Sequence, residues 1–224
     1  MDLIKSLIQL EKKSIVRSKC LKYAVLPLFC IIPFALFILG STRFDYNSLL
    51  LFWTCILLAF PVIALSPLSF SKDGYYYPAL MTKKIPLDVY VKGKVLFIIL
   101  CSFFYYVALT PFIIQYKFII VLAFYAGIVY YVPFVLVIIM LKSSYEKHKI
   151  YLNGSPFLNL EGISIVKAIL GFPIVLPLFF WNETVYWGIG SMFVVGILGL
   201  IQINFSIGVI AKNLARRKYL FLDL

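Results

Sequence analysis

Apolar residues in this chain come in long unbroken blocks separated by short polar stretches, with little of the alternation that marks a half-buried strand. A helix crossing a bilayer needs about 20 mostly apolar residues, because each adds about 1.5 Å towards a hydrocarbon core about 30 Å thick. Six blocks meet that requirement: Leu21 to Leu39, Leu49 to Phe70, Val95 to Ile114, Phe118 to Leu141, Ile163 to Trp181 and Thr184 to Ala211. Only Gln115, Tyr116 and Lys117 separate the third from the fourth, which predicts a tight hairpin. The fifth block carries Lys167 near one end and Pro173 and Pro177 inside it. A lysine there can snorkel to the interface, and proline is tolerated where neighbours satisfy the freed carbonyl.

The first twenty residues follow a different pattern. Leu3, Ile4, Leu7, Ile8, Ile15 and Val16 recur at roughly helical spacing with lysines between them. That predicts an amphipathic helix lying on the cytoplasmic membrane surface. The expected fold is therefore all-α and polytopic: an interfacial helix over 1–20, a six-helix transmembrane domain over 21–211 and a basic tail over 212–224.

Composition agrees, with 63% hydrophobic, 18% aromatic and 13% charged residues. A soluble core cannot hide that much apolar surface. Basic residues exceed acidic ones enough to give a net charge of +12, but they alternate with apolar blocks and do not gather on one soluble face, so nucleic acid is not an expected partner. Their placement instead orients the chain. Lys5, Lys12, Lys13, Arg17, Lys19 and Lys22 lie at the start, Lys72, Lys83, Lys84, Lys92 and Lys94 between blocks two and three, Lys142, Lys147, Lys149 and Lys167 between four and five, and Lys212, Arg216, Arg217 and Lys218 after six. Only Arg43 and Lys117 fall on the other side. By the positive-inside rule both termini are expected in the cytoplasm. A charged first twenty residues also lacks the form of a cleavable signal, and Cys20, Cys30, Cys55 and Cys101 show no C-x-x-C pairing and read as reduced thiols.

Little points to catalysis. All nine acidic residues fall in terminal segments, loops or block edges, so no buried carboxylate is expected for an ion path. His148 sits in a basic loop between Lys147 and Lys149. No serine–base pair, carboxylate dyad, metal-ligand set or Walker A loop occurs, so neither an enzyme activity nor a metal or cofactor is expected. Gln202 and Asn204 are the notable polar positions of the last block, suited to hydrogen bonding between helices.

The loop after block two is the most distinctive. It runs Lys72, Asp73, Gly74, Tyr75, Tyr76, Tyr77, Pro78, Ala79, Leu80, Met81, Thr82, Lys83, Lys84, Ile85, Pro86, Leu87, Asp88, and ends in Lys92, Gly93, Lys94. Pro78 and Pro86 can each open a short helix, and Asp88 suits the first turn of the second. Two small cytoplasmic helices are expected, the second running into block three. This succession resembles the cytosolic loop of ABC-2-type transporter permeases. A second stretch, Lys149, Ile150, Tyr151, Leu152, then Ser155, Phe157, Asn159, Glu161 and Gly162, resembles an uncharacterised bacterial family of ABC-2-like membrane proteins.

The resemblance implies an exporter permease in a bacterial inner membrane, paired with a second permease subunit and driven by a separate ATP-binding subunit. It implies docking of that ATPase on Asp73, Gly74, Tyr75, Tyr76, Leu80, Met81 and Thr82, with Lys149, Leu152, Phe157, Asn159, Glu161 and Gly162 forming a second cytoplasmic contact. Pro78 departs from the continuous helix of that loop, and the chain is shorter than that family's members, as a half-size relative would be. The competing reading is a membrane assembly or accessory factor that holds a cytoplasmic partner without transporting anything.

Overall fold

The computed structural model describes residues 2–18, 47–71, 85–145 and 185–217, together with Lys22, Pro33 and Asp73. Every element among them is helical. They are α1 (Asp2–Arg17), α2 (Asn47–Leu65), the short α3 (Leu68–Ser71), α4 (Leu87–Ile113), α5 (Phe118–Tyr130), a π-helical turn (Tyr131–Val135), α6 (Leu136–Ser143) and α7 (Val185–Arg217).

Four stretches are long and apolar enough to cross a membrane: Trp53–Ser71, Leu87–Ile113, Phe118–Ser143 and Tyr186–Arg216. They coincide with expected blocks two, three, four and six. Block one apart from Lys22 and Pro33, block five, the loop stretch 74–84 and residues 146–162 and 218–224 lie outside the described residues.

The anticipated hairpin is present. Helix α4 stops at Ile113, the Tyr116 amide donates to the Ile113 carbonyl at 3.0 Å, and α5 opens after Lys117, whose carbonyl accepts from the Ile120 amide at 2.9 Å. The second small helix expected in this loop and block three are one continuous element of 27 residues that begins right after Pro86, with Asp88 in its first turn. At about 1.5 Å per residue α4 is roughly 40 Å long, so about two turns project beyond a hydrocarbon core of about 30 Å.

Burial separates central from peripheral helices. The apolar window of Trp53–Ser71 is 71% buried and that of Phe118–Ser143 61%, against 33% for Leu87–Ile113 and 22% for Tyr186–Arg216. Leu57, Leu58 and Val62 of α2, Leu109 and Ile113 of α4 and Ala123, Phe124 and Tyr130 of α5 fill the centre. The outward faces of α4 and α7 carry Phe103, Phe104, Ile201 and Phe205; in water such surfaces would aggregate, and in a bilayer they meet lipid or another protein.

Prolines and glycines set the closest contacts. Pro61 lies inside α2, and having no N–H it leaves the Leu57 carbonyl, four residues back, without its helical partner. Helix α4 supplies a replacement: Tyr105 Oη donates to the Leu57 carbonyl at 3.2 Å and Tyr106 Oη to the neighbouring Leu58 carbonyl at 2.7 Å. Pro133 falls in the π-helical turn, where the wider winding accommodates a ring that would clash in a regular α-helix. The carbonyl facing it one α-turn back is that of Val129, and Gly196 of α7 rests against that carbonyl so closely that a Cβ would overlap the oxygen. One turn further, a Cβ at Gly199 would lie 3.0 Å from Phe134 Cβ and 3.1 Å from its backbone nitrogen. Small residues that admit close backbone approach are how helices associate where lipid competes for apolar contact.

Candidate functional site: a buried charge cluster at the mouth of α4

Helix α1 does not lie free. Its Leu7 is buried, and Gly93 of α4 faces it across a gap so narrow that a Cβ there would sit 3.1 Å from Leu7 Cβ. Glu11 follows Leu7 by one helical turn and so shares that face. It is brought onto Lys94, whose Nζ lies 2.7 Å from Glu11 Oε1.

A third segment closes on the same ammonium. Asp73, just past α3, places Oδ2 2.6 Å from Lys94 Nζ, and the Ser69 carbonyl also accepts from that nitrogen. Tyr90, one turn before Lys94 on α4, donates its hydroxyl to Asp73 Oδ2 at 2.7 Å. The rings of Tyr90 and Phe70 lie with their centroids 4.9 and 5.7 Å from the ammonium, within cation–π range. Lys94 is 2% exposed, and among the described residues its charge meets two carboxylates, one carbonyl and two aromatic rings.

Such a burial has a definite energetic sense. Removing an ion pair from water costs several kcal/mol per ion, recovered only where geometry is good and the remaining hydrogen-bonding capacity is filled. The three donor hydrogens of Lys94 have three oxygen acceptors, and Asp73 has an additional donor in Tyr90. The cluster binds three parts of the chain, α1, the end of α3 and the mouth of α4, into one body.

Two sequence expectations change here. Glu11 and Asp73, read as a terminal-segment acid and a loop acid with no buried carboxylate expected, have their carboxylates packed against a buried lysine, because the N-terminal helix and the loop start both fold back on α4. Lys94, expected as a topological loop charge, is buried in the same cluster. Of the residues assigned to partner docking, Asp73 is the one among the described residues, and its carboxylate is engaged within the chain. Gly74, Tyr75, Tyr76, Leu80, Met81 and Thr82 lie outside the described residues, as do Lys149, Leu152, Phe157, Asn159, Glu161 and Gly162, and also His148. Among the described residues no group of histidine, cysteine and acidic side chains could hold a metal ion.

Glu11 and Lys94 were not singled out by sequence reasoning, although a signal exists. A carboxylate four residues from Leu7 on the apolar face of an amphipathic helix is out of place unless a cation meets it, and Lys94 repeats the oddity on a helix with an otherwise apolar continuation.

A family profile described as "Family of unknown function (DUF5687)" matches residues 3–223. No curated protein and no solved structure matches the chain.

Proposed function

The chain belongs to that family, and within it we propose the role of permease subunit in an ABC-2-like exporter. In this reading six helices span a bacterial cytoplasmic membrane with both termini inside, α1 lies at the inner surface, and a separate ATPase docks on the loop from Asp73 to Thr82. A second permease subunit completes the pathway.

One observation supports the reading more than any other. The loop start, Asp73, is ion-paired to Lys94 on α4, a single helix that runs from the loop through a membrane-crossing stretch. A push on the loop would reach α4 through a short, charge-reinforced contact. Glu11 adds α1 to the same lever.

Copurification in mild detergent tests this. A P-loop ATPase is expected with the wild-type chain, and Leu80→Asp or Met81→Asp is expected to release it while membrane levels stay unchanged. Recovery of no ATPase would overturn the exporter and favour a non-transporting accessory protein; an ATPase retained by both variants would overturn the docking loop.

A further inference from the structure

Helix α7 presents two unlike sides. One is explained by its own chain: Met192, Gly196, Gly199, Ile207, Ile210 and Leu214 are buried, with both glycines against α5 and the π-helical turn. The other faces away, with Trp187 74%, Ile201 72% and Phe205 75% exposed.

Exposed apolar residues need only lipid, but this side also carries two amides. Gln202 and Asn204 are both exposed, and neither has a hydrogen-bond partner among the described residues. They sit near the middle of the stretch Tyr186–Arg216, and so close to the bilayer midplane. An amide moved from water into hydrocarbon without a partner costs about 4–8 kcal/mol, which lipid tails cannot offset. Something with hydrogen-bonding groups at the same depth must meet them.

The chain's own remaining apolar blocks are poor candidates. From Ala168 to Phe180 no side chain can donate or accept a hydrogen bond, and between Ala24 and Leu39 only Cys30 offers a weak one; a carbonyl left unpaired by Pro27, Pro33, Pro173 or Pro177 could accept from an amide N–H but has nothing to donate to the amide oxygen. A second copy of the chain, in contrast, brings the same two amides at the same height. Two copies inserted with the same orientation are related by a two-fold axis along the membrane normal, which sets their α7 helices parallel. At about 100° per residue, Gln202 lies about 100° to one side of Ile201 and Asn204 about 60° to the other. Across such an axis opposite flanks meet, so Gln202 of each copy comes opposite Asn204 of its mate, twice over. An amide is both donor and acceptor, so each pair is self-sufficient.

The same side holds two glycines without an internal purpose. A Cβ at Gly190 or Gly208 would meet nothing within 4 Å, unlike one at Gly196 or Gly199. Both lie about 20° from Ile201 around the helix, where they would let a neighbouring backbone come near.

We infer that the outward side of α7, centred on Ile201 and flanked by Gln202 and Asn204, is the interface with a second copy of this chain. The inference rests on α7 crossing the membrane and not on the exporter reading, and it holds with or without an ATPase.

The test is oxidative cross-linking of full-length single-cysteine additions, Ile201→Cys and Phe205→Cys, in native membranes with copper phenanthroline. A disulfide-linked homodimer is expected from both, and none from the parent chain or from Phe104→Cys on the outward side of α4. Adding Gln202→Leu to Ile201→Cys removes the amide from both copies and should lower the dimer yield about eightfold, the scale of two hydrogen bonds between membrane helices. Three results would each overturn the interface: a monomer labelled at residue 201 by a membrane-impermeant thiol reagent, which marks a water-filled path; a monomer without labelling, which marks lipid or another part of the chain; and a cross-link to a different polypeptide. Carbonate extraction of the same membranes checks the spanning premise separately.

Discussion

Two buried polar regions lie on the same helix and solve the same problem by different chemistry. At its mouth, α4 buries a full charge, Lys94, and surrounds it with Glu11 and Asp73. Twelve residues further along, about 18 Å deeper at helical rise, α4 presents Tyr105 and Tyr106, neutral hydroxyls that cover backbone carbonyls near Pro61. Depth accounts for the difference. Near the interface an ion can be drawn from water and paired as the chain folds, whereas at mid-membrane a neutral hydroxyl closing a proline gap leaves no charge to desolvate.

The comparison is broken most severely by Lys94→Ala, which removes the buried cation that both Glu11 and Asp73 meet. A loss of about 3–5 kcal/mol is expected, read as a lowered unfolding midpoint of the purified protein in detergent. Loss of the charge and loss of the fold are then separated by the combined Glu11→Gln, Asp73→Asn and Lys94→Met variant. It removes every charge of the cluster together and should recover to within about 1–2 kcal/mol of wild type, since a whole buried ion cluster is often replaceable by neutral groups. Failure of that recovery would show that the ionic geometry itself holds α1 in place.

The deeper region is sharpened by smaller changes. Tyr106→Phe should cost about 1 kcal/mol, because a buried hydroxyl at 2.7 Å from the Leu58 carbonyl is lost without changing shape. Tyr105→Phe should cost about half as much, its hydrogen bond being longer, at 3.2 Å, and only part-buried. Equal costs for the two tyrosines would mean that the freed Leu57 carbonyl matters more than geometry and burial do.

Much of this architecture is legible from residue pattern. The blocks that overlap α2, α4, α5 with α6, and α7 stand out by length and apolarity, and the turn at Gln115, Tyr116 and Lys117 by its brevity. Pro86 and Asp88 mark the start of α4. The charge cluster is not legible in the same way. Glu11 and Lys94 are 83 positions apart, and the loop acid Asp73 reads as exposed until its backbone is placed. Pro61 stands in plain view in its block, but nothing in a linear pattern says which tyrosine reaches which freed carbonyl.

The sequence by itself determined that the chain is helical and built for a membrane, since uninterrupted apolar blocks can satisfy their backbone groups in lipid in no other open form. It determined too that α1 has an apolar side, through the spacing of Leu7 with its neighbours. Tertiary structure alone decided what that side meets and which charges are removed from water. Periodicity fixes a residue's direction around its own helix, but pairing Glu11 with Lys94 and Asp73 requires two helices and the turn after a third to arrive at one place, and that arrival depends on contacts such as Leu7 on Gly93 that no single helix contains.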